Sequence, residues 1–129
     1  MEFAYEKLDV WKRAVDFGMK VIAMAVEKTE DRKAAAVIQA AWKSALHSST
    51  AIAKGKGYTS KNDFAQHLYL SRGSVYETMT LLKILKRKQV ISGEQYTEFE
   101  KMGNQVVAMV SGLVRSLFAI DEKKRGPKE

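Results

Sequence analysis

The stretch SGEQYTEFEKMGNQVVAMVSGLVRSLFAI, residues 92–120, decides the fold. Phe99, Gly103, Val106, Val110, Leu113, Leu117 and Ile120 recur in alternating steps of four and three, which keeps one apolar seam turned toward neighbours in a left-handed bundle. Ser92 and Gln95 stand three apart just ahead of it, so each side chain can satisfy the other's backbone amide in a capping box. A helix built this way needs partners of the same kind.

The sequence upstream supplies three. Phe64, Leu68, Ser71, Val75, Thr78, Leu82 and Leu85 keep heptad rhythm over 60–89, opened by Ser60 and Asp63 at capping-box spacing, with aspartate in place of the usual glutamate or glutamine. Ala34, Ile38, Ala41, Ala45, Ser48 and Ile52 form the inner stripe of a second helix over 32–53, entered through the polar turn Thr29 to Asp31. Small residues on that stripe permit close helix approach. Gly55 and Gly57 are expected to end it through left-handed backbone.

Over 9–28, Trp11, Val15, Gly18, Ile22 and Ala25 form the inner stripe of a first helix, with Asp9 as its cap and Leu8 as its staple. Short connections and the absence of a sustained period-two run predict an all-α, antiparallel up-down-up-down four-helix bundle over 1–120, followed by a charged flexible tail at 121–129. Val10, Ala14, Phe17, Val21 and Met24 on the first helix, and Met102, Val107, Met109 and Val114 on the fourth, make second apolar stripes. Such excess fits self-association through these two helices, or a wide core.

The 129 residues suffice for one domain with a core that needs no staples, and there is no cysteine to form any. A cytoplasmic location is the expectation from that composition. The start lacks the charged, apolar and cleavable order of an export signal, and no apolar run reaches membrane-spanning length.

Charge is distributed unevenly. Between Lys33 and Lys88 there are ten basic residues against two acids, Asp63 and Glu77, while the chain as a whole carries +7. A directed positive field of this kind attracts a polyanion or an acidic protein surface; the competing reading is a solvated face that keeps the protein soluble.

Catalytic constellations are not legible. His47 and His67 fall on different helices without the acids or cysteines that would complete a metal site. The Gly55-Lys56-Gly57 segment lacks the preceding strand and the spacing of a phosphate loop. Ser44, Ser48, Ser49, Ser71 and Ser74 have no evident base and orienting acid, so they read as small helix-contact residues. Glu77 is either a buried acid or, as favoured here, the partner of a basic residue across a helix contact. The expectation is a protein without catalytic activity, metal or cofactor.

The candidate contacts to phosphate are Lys43, Lys54, Lys56, Lys61, Arg72, Lys83, Lys86, Arg87 and Lys88. The last four crowd a helix C-terminus, where the helix dipole favours cations, so that group has a local structural reason to be there. The dipole does not account for Lys56 or Lys61, the latter lying near a helix N-terminus where positive charge is unfavourable. Tyr58 beside them fits packing or stacking on a base.

Lys7-Leu8-Asp9-Val10-Trp11, Ala51-Ile52-Ala53-Lys54-Gly55, the Ser60, Asp63, Phe64 start and Gly73-Ser74 followed by Glu77 occur in an order that resembles the four-helix-bundle proteins encoded in intervening sequences of 23S rRNA. The similarity runs from about Lys7 to Leu117 and extends to the accessory variability determinants of diversity-generating retroelements. The resemblance implies a homopentameric barrel without catalysis. For the retroelement branch it also implies a basic surface that binds nucleic acid and a reverse transcriptase. Where many relatives have asparagine and glutamate, this chain has Ala51 and Lys54, which strengthens the positive field. Together these point to an oligomeric protein binding RNA or DNA through phosphates with low sequence specificity. The alternative is an interaction scaffold that docks an acidic partner protein.

Overall fold

The computed structural model describes residues 1–125, and side chains through residue 119. A short 3-10 turn, Ala4–Lys7, precedes four helices: α1, Asp9–Glu27; α2, Ala35–Lys56; α3, Lys61–Arg87; and α4, Gly93–Arg125. Each helix packs on its sequence neighbours and α1 also meets α4, which closes an antiparallel four-helix bundle. No strand occurs among the described residues. Residues 121–125, expected to belong to a flexible tail, continue α4, and residues 126–129 of that tail lie outside the described residues.

Two helix starts follow the sequence closely. Ser92 and Gln95 exchange both bonds of the capping box: Gln95 Oε1 accepts from the Ser92 amide at 2.9 Å, and Ser92 Oγ accepts from the Gln95 amide at 3.0 Å. Ser60 caps α3 by accepting from the Asp63 amide at 3.3 Å. The other two starts differ from expectation. Leu8, not Asp9, occupies the cap of α1, where Asp9 becomes a first-turn acid facing the positive end of the helix dipole. The second helix begins at Ala35 rather than near 32, because Asp31 Oδ1 accepts from the Ala34 amide at 3.2 Å and holds that segment as a turn.

The inner stripes of α2 and α3 are buried as the heptad spacing predicts. On α1 the order of the two stripes is reversed. Val10, Ala14, Phe17, Val21 and Met24 form the core, joined by Gly18 and Ala25, whereas Trp11, Val15 and Ile22 are only half-buried. On α4, Phe99, Gly103, Val106 and Val110 are buried, after which Val114 takes the inward position and Leu113 and Leu117 are half-buried. Ile120 lies outside the described side chains.

Gly55 does not terminate α2. The helix runs through it to Lys56, and its cap Gly57 has an ordinary right-handed φ of −74°. A Cβ placed on Gly55 would lie 2.4 Å from His67 Cβ and 3.3 Å from Phe64 Cδ1. The glycine is required by the approach of α3, not by a turn. The left-handed residue lies elsewhere: Gln89, φ 61°, follows α3. There the Val90 amide donates to Leu85 O at 2.9 Å and the Gln89 amide to Lys86 O at 2.9 Å, the two bonds of a Schellman ending.

Replacing Gly55 with alanine should destabilise the bundle by about 1–2 kcal/mol. Overpacking strain of about 1–3 kcal/mol opposes a gain of only about 1 kcal/mol in helix propensity, and a main-chain-proximal Cβ has no room to yield. Chemical denaturation followed by circular dichroism reads this directly. An unchanged midpoint would mean that α2 and α3 are farther apart than described.

Candidate nucleic-acid interface

The nine basic candidates are carried by α2 and α3 or the turns that end them, and the antiparallel pairing of these helices decides where each goes. Lys54 and Lys56 lie in the last turn of α2, and Lys61 opens α3, so all three sit at the same end of the bundle. Lys83, Lys86, Arg87 and Lys88 lie at the other end of α3. That helix has 27 residues, hence a length of about 40 Å. The basic segment therefore forms two poles. Lys43 and Arg72 stand between them on different sides: Lys43 is exposed on α2, whereas Arg72 faces α4 and donates through Nη1 to Ser111 Oγ at 3.4 Å.

Since α2 continues through Lys56, that lysine and Lys54 do lie where the helix dipole favours a cation, contrary to the earlier boundary at 53. Lys61 is half-buried at the start of α3, where the dipole is unfavourable to it. Lys43, Lys54, Lys56, Arg87 and Lys88 are exposed.

Aromatic rings, more than carboxylates, hold these cations. Lys83 and Lys86 Nζ lie 4.4 and 5.0 Å from the ring centre of Tyr96, Lys56 Nζ 5.3 Å from that of Phe64, and Lys43 Nζ 5.9 Å from that of Trp42. The Arg72 guanidinium carbon is 4.7 Å from the Tyr69 ring centre. Each such contact contributes about 0.5–1 kcal/mol at an exposed site. The Lys20–Glu98 ion pair, 3.2 Å, joins α1 to α4 and lies outside the basic segment. Glu77 is exposed, so the expectation that it is buried or paired across a helix contact is not met among the described residues.

The histidines and several of the serines make hydrogen bonds within α2 and α3 or between them. His67 Nδ1 is 2.8 Å from Asp63 O, its ring stacks on Tyr58 at 4.8 Å, and its Cβ is the atom that Gly55 accommodates. Tyr58 is thus engaged in packing, although it remains 46% exposed. His47 Nδ1 meets Ser74 Oγ at 2.7 Å; since that hydroxyl donates to Leu70 O, the histidine supplies the proton. Ser44 and Thr78 share a hydrogen bond of 2.7 Å, and Ser71 Oγ donates to Ser48 O at 2.7 Å. Among the described residues, no group of three or more histidine, cysteine or acidic side chains is placed to hold a metal ion.

One feature of this surface was not anticipated. The outward side of α3 carries Tyr69, Tyr76 and Ile84, exposed by 46%, 54% and 39%. Tyr76 lines an open groove of about 460 Å³ with Met79, Thr80, Lys83, Ile84, Arg87 and Tyr96. Its sequence signal is the series Tyr69, Gly73, Tyr76, Thr80 and Ile84, a second near-heptad row beside the buried one. Gly73 lies within that row and nothing stands within 4 Å of where its Cβ would be.

This is an all-α antiparallel four-helix bundle in which most of the nine basic candidates lie at the two ends of the α2–α3 pair. The chain belongs to the 23S rRNA-intervening sequence protein family, whose profile matches residues 6–112. Among solved structures it is similar to a protein of unknown function from the S23 ribosomal protein family of Bacteroides thetaiotaomicron. The TM-score is 0.77 at 17% identity, over 82% of this chain and 98% of that one, a likeness of fold. No curated protein matches the chain.

Gly73→Ala should stabilise the protein by about 1 kcal/mol, the usual difference between these residues in an exposed helix interior. The same substitution is thus expected to act in opposite directions at Gly55 and Gly73. A thermal or urea transition for Gly73→Ala that does not move upward would show that the row on α3 is covered in solution.

Proposed function

We propose that this protein is a non-enzymatic, oligomeric nucleic-acid-binding protein that engages RNA or DNA through phosphates with low sequence specificity. The observation that carries this reading is the manner in which its cations are held. Five of the nine candidates, Lys43, Lys56, Arg72, Lys83 and Lys86, sit over aromatic rings. An aromatic ring positions a cation and leaves its charge uncancelled, so the field of the segment persists toward solvent. Membership in a family named for 23S rRNA intervening sequences agrees with an RNA context. A role beside a reverse transcriptase rests on the resemblance to retroelement accessory proteins alone.

Two poles roughly 40 Å apart on one chain each offer only a few phosphate contacts. Repetition in an oligomer would raise their combined affinity through effective concentration. Self-association is supported by apolar surface that the bundle leaves uncovered on α1: Met19 and Val26 are 62% and 66% exposed. Ile22, Ala25 and Val26 also line an open cleft with Trp42 of α2. Met102, Val107 and Met109 on α4 are half-buried. A homopentamer is the assembly the resemblance implies.

Binding should weaken steeply with salt, with a log-log slope of about −0.9 for each phosphate neutralised on duplex DNA. Titration of labelled RNA and DNA at two salt concentrations should show this. Reversing Lys54 and Lys56, or Lys83 and Arg87, to glutamate should make the slope shallower. Affinity indifferent to salt, or no binding at low salt, counts against the reading. If the reversals abolish capture of a protein partner while nucleic-acid affinity survives, the scaffold reading is correct.

Val26→Glu should reduce the oligomer in sedimentation velocity without loss of helicity. A wild-type protein that sediments as a monomer at all concentrations removes the oligomeric half of the proposal.

A further inference from the structure

The outward row of α3 points to a more specific ligand within the proposed nucleic-acid-binding function, on which this inference rests. Tyr69 and Tyr76 are seven residues apart, two helical turns, so their rings project from the same side with a rise of about 10.5 Å between them. Each is roughly half exposed. Gly73 lies between them and fills none of the space. Large aromatic side chains on a soluble helix are usually drawn inward, so two of them flanking an open glycine form a surface with flat hydrophobic faces and a gap.

The charges around this row are predominantly positive. Arg72 is stacked on Tyr69, Lys83 and Arg87 line the groove that holds Tyr76, and Glu77 is the acid on the same helix within this region. A second copy of the chain would have to bring an acidic face to such a row, and the segments outside 33–88 carry nearly balanced charge. Duplex nucleic acid would satisfy the cations and leave the rings without partners, because its bases are already stacked on one another. A single strand satisfies both.

We propose that the α3 row is a stacking platform for single-stranded polynucleotide, with bases resting on Tyr69 and Tyr76 and phosphates contacted by Arg72, Lys83 and Arg87. The surface reads bases and phosphates, which RNA and DNA share, and offers nothing chosen for the sugar. The bases can be of any kind, since every base presents a π face.

The test compares short oligouridylate, the matching oligodeoxyuridylate and a duplex of equal length against wild type, Tyr69→Ala/Tyr76→Ala and Tyr69→Phe/Tyr76→Phe, at fixed ionic strength. Both tyrosines are exposed on a helix, so circular dichroism should be unchanged in all variants. The wild type should bind both single strands comparably and more tightly than the duplex. The alanine pair should lose roughly tenfold or more for each ring on single strands, with little change on the duplex and an unaltered salt slope. The phenylalanine pair, which keeps the faces and removes only the hydroxyls, should retain wild-type affinity.

Equal losses on single strands and duplex, or no loss on either, overturn the platform while leaving phosphate-directed binding in place. A shift in sedimentation coefficient in the alanine pair, with single-strand affinity preserved, overturns it in favour of a protein interface. Failure of the wild type to bind any of the three probes overturns both readings together.

Discussion

The close seam between α2 and α3 is the constraint from which the rest of the molecule follows. It is built from alanine, serine and glycine facing serine, threonine and the β-carbon of a histidine. Ser48, Ser71 and Thr78 are fully buried at 0% exposure. Burial of a hydroxyl is costly unless it is bonded, and here each finds an acceptor: Ser48 in Ala45 O at 2.7 Å, Ser71 in Ser48 O at 2.7 Å, Thr78 in Ser74 O at 2.8 Å. No buried polar side-chain atom is left without a partner among the described residues. Ser44 meets Thr78, Ser48 meets Ser71 and Gly55 meets His67, so the numbers climb on one helix as they fall on the other. That ladder fixes an antiparallel register which an apolar seam alone would specify less tightly.

Fixing α3 against α2 on one side leaves α4 to approach from the next. It does so at another small residue: a Cβ on Gly103 would lie 3.2 Å from Val75 Cγ1 and 3.3 Å from Met79 Sδ. With two sides occupied, α3 has one side left, and that side carries Tyr69, Tyr76 and Ile84. The same register sets the charge pattern. The cations of α2 and the start of α3 gather at one end, and those that close α3 at the other. At about 40 Å the two poles are separated by several screening lengths of roughly 8 Å at physiological salt. Repulsion between them is therefore small, and the repulsion to be tolerated is that within each pole. This is how a segment with ten basic residues and two acids remains compatible with a stable bundle.

The periodicity of the sequence carries much of this. Heptad rhythm in α3 and the small stripe of α2 report burial because a narrow seam has only one way to face inward, and the Ser92–Gln95 box is local chemistry that needs no tertiary knowledge. The first helix defeats the same reasoning. Its two apolar stripes lie side by side, and a modest rotation about the helix axis exchanges them; the packing of Phe17 and Val21, both at 0% exposure, settles the choice. Gly55 misleads for a related cause, since a glycine that admits another helix looks the same in sequence as one that ends its own. Gln89 gives no signal, because its left-handed backbone is imposed by the bonds of the α3 ending. At the candidate interface the residue types were legible and their grouping was not. Whether Arg72 shares a side with Lys43 depends on the contact with Ser111, which sequence spacing does not contain.

The way the cations are held bears on what they can do. A lysine tied to a carboxylate is ordered but neutralised, and a polyanion must displace the acid before it can use the charge. A lysine in open solvent keeps its charge but loses side-chain entropy of about 0.5–1.5 kcal/mol when it is fixed at an interface. Lys83 and Lys86 over Tyr96, and Arg72 over Tyr69, occupy the middle ground. The ring restricts the side chain in advance, so part of the ordering cost is met by the fold, while the ammonium or guanidinium still presents its donors to an incoming anion. Tyr96 itself is only 7% exposed and anchored in α4, so the α3–α4 contact that completes the bundle also supplies the surface on which these two lysines rest. Stability and electrostatic reach are thus linked at the same ring: loosening α4 would release the lysines as well as the core.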